Sequence, residues 1–406
     1  MHVVADTDAL VAAGVIAPGQ AREIEARSRQ TMIALAVNCV LFLGILSATG
    51  GLIYWLRDPL SVAIFGAISF AIGVLILSRN SDSLRIFGNA AALIGAGTLS
   101  GGAVLELLDT WPEIAAEVIT LSGGAILILA AAAHWRLAPR AVFITGSLCL
   151  IGLAMHLGGL AYFIERNAVA GLPVSLAQLY AAALMVGIGW LTNVRLVTAL
   201  AIIPFAQVLD TGAFYFHAIY AFSSPEPTLT ILQMVALIAL CLWVANRSGE
   251  RTARHGLVLA VLAFVVANLC ALIGSLWGDV VGETAWGPAG VPPGNVTDWD
   301  ARTEAIAAFR ETALVIPEHV FTIAWAIVLV GMAMWSAHRN NRGLFNTSIV
   351  FGVIHVYTQL YETFGDEPLA YVIGGLALIP VAWGMWRFDA ALRERAVPEG
   401  LETGSA

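Results

Sequence analysis

Asp210 is an ionisable carboxylate inside an otherwise apolar run, Arg195–Phe222. At membrane depth such a group costs several kcal/mol unless a partner or water meets it, which makes it a functional candidate by default. Gln207 lies three residues before it and His217 seven after. On a continuous helix those offsets place all three on one face. Pro204, about a turn earlier, frees a backbone carbonyl nearby. A carboxylate, an amide, an imidazole and a freed carbonyl can together bind a proton or a small cation. The same groups can instead act as interhelical glue, with Asp210 protonated or paired. Both readings stay open at this level.

A second stripe is His355, Gln359 and Glu362, spaced i, i+4, i+7. Glu362 falls close to the outer end of its span, where solvent can meet it, and His355 lies deeper. Other polar residues at depth are Asn38, Asn89, His156, Gln178, Gln233 and Asn268. Scattered groups of this kind bind helices together and carry no assigned role. Gly97 and Gly101 form a small-x-x-x-small match in the third apolar run, a pattern that glycine-rich spans meet often by chance.

Several chemistries are missing. All 20 basic residues are Arg and none is Lys. Without Lys there is no Walker A loop to reach nucleotide phosphates, no pyridoxal Schiff base and no Ser–Lys dyad. No H-E-x-x-H, G-x-S-x-G or Gly-x-Gly-Asp sequence occurs. Cys39, Cys149, Cys241 and Cys270 sit in apolar runs without a C-x-x-C pair, so they read as packing residues rather than a disulfide framework. No cofactor or nucleic-acid partner is expected; an intramembrane enzyme ranks last among the readings, and metal or haem binding by His156, His217 and His355, on three separate spans, is a minority one.

The elements that position these residues are membrane helices. The chain is 59% hydrophobic and 12% charged over 406 residues, where a soluble chain carries about 25% charged residues. Apolar runs of spanning length fall at roughly 32–55, 59–77, 84–106, 114–133, 141–164, 174–192, 196–221, 228–246, 256–277, 317–335, 344–364 and 369–387. Tyr54, Trp55, Trp111, Trp135, Tyr162, Trp277, Trp335, Trp383 and Trp386 mark their ends as an aromatic belt. With the N-terminus in the cytoplasm, only Arg57, Arg166, Arg302 and Arg310 of the 20 basic residues face outward. This bias supports an even number of spans and two cytoplasmic termini. Of the 28 acidic residues, ten fall inside, seventeen at or near the outer side, and Asp210 within a span. The simpler account of the outer acids is solvated loops; the alternative is a field that gathers cations.

Residues 1–30 read as a cytoplasmic helical hairpin. Membrane helices 1–9 occupy 31–277 and helices 10–12 occupy 317–390, before a disordered cytoplasmic tail at 391–406. Between them lies a long outer loop, 278–316. Its first part is rich in Gly and Pro, and Asp300–Val315 reads as an interfacial helix capped by Asp300, with Ala305, Ile306, Phe309 and Ala313 on one stripe.

Leu10-Val-Ala-Ala-Gly-Val-Ile-Ala-Pro-Gly-Gln-Ala-Arg-Glu-Ile resembles the opening of a bacterial family of membrane proteins, domain of unknown function 2157. Arg342, Leu344-Phe345-Asn346, Tyr361-Glu362, Gly374-Gly375 and Arg387 are similar to its closing stretch. The resemblance covers the first third of the chain and its last two helices. It implies a short cytoplasmic hairpin ahead of the first span, and no chemistry.

The expectation is therefore an all-α, polytopic protein of about twelve transmembrane helices in a cytoplasmic (inner) membrane. Its partners are the lipid bilayer and a cytoplasmic protein at the N-terminal hairpin. The leading functional expectation is a proton- or cation-coupled, transporter-like protein. The rivals are a structural or assembly protein, or a sensor, whose buried polar groups only join helices.

Overall fold

The computed structural model describes residues 7–29, 58–78, 85–137, 142–209, 214–216, 221–290, 298–339 and 342–365, with scattered positions at 40–54 and 367–387. The chain divides into two compact units, Met1–Ala168 and Val169–Ala406. The fold is all-α. Among the described residues eight helices are long and apolar enough to cross a membrane, and their outer faces expose large apolar side chains such as Leu121, Ile128 and Leu129. A chain with this many such helices is a multi-pass membrane protein.

The first unit opens with two short helices, α1 (Thr7–Ala12) and α2 (18–29). Pro18 starts α2, where its missing N–H costs nothing. Two helical hairpins follow: α3 (Pro59–Ser78) with α4 (Arg85–Thr110), and α5 (Pro112–Leu137) with α6 (Val142–Arg166). Asp58 precedes α3 and accepts from Ser61 N at 3.0 Å, a bond that helps to hold its carboxyl below the usual carboxylate range, behind the larger effect of the Ser61 hydroxyl.

Glycines set the contact within each hairpin. A Cβ built on Gly66, Gly73 or Gly95 would collide with backbone of the facing helix, and one on Gly102 would stand 2.7 Å from Ala63 N. Nothing lies within 4 Å of such an atom on Gly97 or Gly101. The contact is made through Gly95 and Gly102, seven residues apart, and the Gly97/Gly101 match is a chance occurrence of the pattern. In α5 and α6, Gly123, Gly152 and Gly159 serve the same purpose. His156 hydrogen-bonds Thr120 O across that seam at 2.8 Å.

In the second unit α7 (Leu172–Thr192) ends at Asn193 in the left-handed conformation. The chain turns at once into α8 (Arg195–Leu200) and α9 (Ile202–Ala206), joined through Ala201. Arg251 donates to the terminal carbonyls of Trp190 and Leu191, a cation at a helix C-terminus. A short hairpin follows, β1 (Phe214–Phe216) antiparallel to β2 (Ala221–Ser223).

The expected span at 196–221 is therefore not a continuous helix. Among the described residues of this segment, helix runs only from Arg195 to Ala206, about 18 Å at 1.5 Å per residue, short of a hydrocarbon core of about 30 Å. Pro204 sits in the last turn. The exit tightens into i to i+3 bonds, Gln207 N to Pro204 O at 3.1 Å and Val208 N to Phe205 O at 3.2 Å.

The unit then builds α10 (Pro227–Arg247) and α11 (Glu250–Trp277), and after the long loop α13 (Glu318–His338) and α14 (Arg342–Phe364). α11 is the central helix: 44% of its apolar window is buried, against 17–33% in the other seven. Its small residues Ala260, Ala263, Ala267 and Ala271 admit Met234 and Leu237 of α10 and Trp325 and Leu329 of α13. Thr198 Oγ1 and the buried His255 Nδ1 lie 2.7 Å apart and tie α8 to α11.

Between α11 and α13 the described parts of the long loop, 278–290 and 298–316, hold regular elements. β3 (Asp279–Val280) pairs antiparallel with β4 (Val315–Ile316), closing its base. α12 (Trp299–Thr312) is capped by Asp298, whose Oδ1 accepts from Asp300 N and Ala301 N, both at 3.0 Å. The cap thus lies two residues before the expected Asp300, because Asp298 is the residue still extended at the helix entrance. Val315, expected within the helix, belongs to the strand.

Candidate functional site

Asp210 and His217 lie outside the described residues. Gln207 is described, at the C-terminal end of α9 and half-buried. Of the segment that would carry a face shared by Gln207, Asp210 and His217, the described residues 207–209 form a turn and 214–216 a strand. The structure gathers a different set at the break. Gln178 of α7 donates to Gln207 Oε1 at 3.4 Å, and Gln233 of α10 donates to the Phe205 carbonyl. Gln233 Oε1 is buried and has no hydrogen-bond partner among the described residues. Three amides from three segments therefore surround the end of a half-helix, where backbone groups leave the intrahelical ladder.

The second expected stripe lies on α14 and splits. His355 is buried, with its Nε2 3.1 Å from Thr322 O. Gln359 accepts from Thr322 Oγ1 at 3.2 Å and donates to Ser275 Oγ at 3.2 Å, bridging α13 and α11. Glu362 is exposed. Deeper, Trp325 Nε1 donates to Asn268 Oδ1 at 3.1 Å. These contacts are interhelical hydrogen bonds of the kind that join membrane helices.

A third group was not singled out by the sequence. Glu226 and Asp279 count among the outer acids expected to be solvated, yet they are 0% and 5% exposed. Each serves the other's segment. Glu226 stands just before α10 and receives Gly282 N at 2.9 Å, Thr284 N at 2.6 Å, Thr284 Oγ1 at 3.0 Å and Ala285 N at 3.4 Å. All four contacts donate into the carboxylate. Asp279, just past α11, accepts from Thr228 N at 2.8 Å, one of the N–H groups that the start of α10 leaves without an intrahelical partner. The two carboxylates thus cap each other's backbone reciprocally.

The loop conformation that aims these amides inward depends on two glycines at positive φ, Gly278 at 69° and Gly282 at 87°. Successive amides converging on one anion form a nest. Outside it, Arg310 of α12 grips Glu283 with two bonds, Nε to Oε2 at 2.7 Å and Nη2 to Oε1 at 2.8 Å, and Glu283 holds the Arg310 guanidinium pKa above its usual value. Burial pushes the Asp279 carboxyl above the usual carboxylate range and the nearby Glu226 charge adds to it, against the lowering effect of Thr228. The sequence signal for this group was faint: an acid between two prolines, Pro225-Glu226-Pro227, and an acid directly after a helix-ending glycine, Gly278-Asp279.

Among the described residues no group of three or more His, Cys, Asp or Glu is placed to hold a metal ion. Fold and polar interior together define a multi-pass, all-α membrane protein with a half-helix and a clamped loop between α11 and α13. No family model matches the sequence, and comparison with curated proteins and with solved structures gives no match.

Proposed function

We propose that the protein is a proton- or cation-coupled, transporter-like protein of a bacterial cytoplasmic membrane, with twelve spans and both termini cytoplasmic. The observation that carries this reading is the half-helix Arg195–Ala206, which ends among the side-chain amides of Gln178, Gln207 and Gln233. Transporters place their ion sites where a membrane helix is interrupted, because unwound backbone and half-helix ends supply ligands that a continuous helix withholds. Asp210 follows that break by a few residues and is the coupling group on this reading.

The test is reconstitution of the full chain in vesicles carrying an imposed pH or Na+ gradient, with dissipation read by a fluorescent indicator. Wild type dissipates one of the gradients, and Asp210→Asn folds normally but does not. Equal dissipation by wild type and Asp210→Asn overturns the coupling role. So does a pattern in which Asn replaces Asp210 without effect while Asp210→Leu lowers stability.

A structural or assembly role is the second reading. It is favoured by the way His156, His355, Gln359 and Asn268 find partners on neighbouring helices. On that reading the hairpin at 1–30 docks a cytoplasmic partner, and no gradient dissipates.

A further inference from the structure

At the end of the second unit away from the Glu226–Asp279 clamp, α7 and α10 finish and α8 and α11 begin. Hydrogen bonds join these ends. Trp190 Nε1 donates to Thr252 Oγ1 at 3.0 Å, Arg251 to the Leu191 carbonyl at 2.8 Å, and His255 Nε2 lies 3.3 Å from Asn193 Oδ1. Residues 190–195 and 247–255 carry four arginines, Arg195, Arg247, Arg251 and Arg254, and a single acid, Glu250. All four arginines are exposed. Glu250 reaches one of them, Arg254, in a loose contact of 3.7 Å. This end of the unit is therefore a cationic surface with little counter-charge of its own.

Two of the cations are held in place. The Arg251 guanidinium bonds the Trp190 and Leu191 carbonyls and lies 5.0 Å from the centre of the Trp190 ring. That of Arg247 stands 4.7 Å over the Trp243 ring. Groups fixed in advance lose less freedom when a ligand arrives. The surroundings define the ligand. Along α10 the exposed residues Leu240, Trp243 and Arg247 fall at i, i+3 and i+7, one stripe of the helix. Over about 10 Å, at 1.5 Å per residue, the stripe passes from aliphatic to aromatic to cationic. Acyl chain, interface and phosphate follow one another in that order in a lipid leaflet. A soluble anion would use the arginines and leave the apolar part of the stripe bare. A zwitterionic headgroup brings its own cation and leaves the arginine charge uncompensated.

We propose that this end of the unit is a binding surface for an anionic phospholipid. Arg247, Arg251 and Arg254 receive the headgroup phosphate, Arg195 adds to the attracting field, and an acyl chain runs along Trp243 and Leu240. The surface is independent of the reading of Asp210 and of which leaflet it meets.

The experiment uses the purified full chain in neutral detergent at constant ionic strength. Phosphatidylglycerol or phosphatidylcholine is added in mixed micelles, and the thermal midpoint is followed against lipid mole fraction. Phosphatidylglycerol raises the midpoint saturably and phosphatidylcholine does not. Arg247→Gln and Arg254→Gln, both at exposed positions, each move the half-saturating fraction up about fivefold, the worth of one basic residue near an anionic surface. A second readout needs no arginine variant. Phosphatidylglycerol with brominated acyl chains quenches tryptophan fluorescence more than brominated phosphatidylcholine does, and the excess falls in Trp243→Phe. Equal midpoints in the two lipids overturn the proposal, as does an excess quenching that Trp243→Phe leaves intact. Arg136→Gln removes an exposed arginine of the other unit; a shift as large as that of Arg247→Gln would mean a general attraction to charge and overturn this surface. Inorganic phosphate that reproduces the response without lipid overturns the lipid assignment.

Discussion

Glu226→Ala tests whether the clamp holds the extramembrane loop. The substitution strips the carboxylate from three well-formed donors, Gly282 N, Thr284 N and Thr284 Oγ1, and from the longer contact with Ala285 N. Hydrogen bonds to a charged group contribute about 1.5–3 kcal/mol each. The gross loss is thus roughly 4.5–9 kcal/mol over the three strong bonds. Water reaching the vacated space recovers part of it. A net cost of about 3–4 kcal/mol follows, within the range for breaking a buried charged contact. The β3–β4 pairing and the Arg310–Glu283 bridge remain, so the loss falls on local opening rather than on the helix bundle. The amide to read is Val281, which donates to Leu314 O at 3.0 Å and does not touch Glu226. Its exchange should accelerate by roughly 150- to 700-fold, since each 1.4 kcal/mol is a factor of ten. Amides in the middle of α11 should keep their protection. Glu226→Gln should fall between, because its amide can accept at one end but presents N–H groups to donors at the other. Exchange at Val281 within about threefold of wild type in a folded Glu226→Ala protein, under 1 kcal/mol, would refute the account.

The raised pKa of Asp279 gives stability a definite pH slope. Its folded-state value stands above the ordinary 3.8, so the folded protein takes up this proton before the unfolded chain does. The penalty for ionising it is fully present above the folded value and is relieved as pH falls through that value toward 3.8. Thermal midpoints should carry this contribution in wild type and lack it in Asp279→Asn; identical pH profiles would count against it. In the first unit, Gly95→Ala should destabilise the α3–α4 hairpin by about 1–3 kcal/mol through overpacking, whereas Gly97→Ala, with open space around it, should not. Denaturation of the two variants in detergent decides this, and equal midpoints would refute the assigned contact. For the proposed topology, a reporter active only outside the cytoplasm should be silent when fused after Ala406 and active when inserted at Gly290. The reverse pattern would place the clamped loop on the cytoplasmic side.

Much of the helical framework is legible in the sequence because its cause is local. The run expected at 114–133 is realised as Pro112–Leu137, and that at 228–246 as Pro227–Arg247. A continuous apolar stretch of this length has one low-energy backbone in hydrocarbon, and Pro or Gly marks where it starts or stops. Local signals also placed a helix in the long loop, with an error of two residues in its cap. They failed at 196–221, where apolarity continues past Ala206 but the helix does not. Hydropathy measures the solvent a segment prefers, and Pro204 with the turn after it decides the backbone. Glycine spacing is uninformative for a related reason. Gly97 and Gly101 match a pattern, but which face of α4 meets α3 is set by how the two helices are rotated, and that brings Gly95 and Gly102 inward. The Glu226–Asp279 clamp was the least legible feature. Glu226 meets residues 56 to 59 positions away, and Asp279 meets one 51 positions away. No local window distinguishes a loop carboxylate that will be solvated from one that will be buried under distant amides. Sequence by itself determined the solvent of this chain and the extent of most of its helices, because both follow from neighbouring residues. Tertiary structure alone decided which polar groups are buried and what they hold, because burial is created by the partner that arrives from elsewhere in the chain.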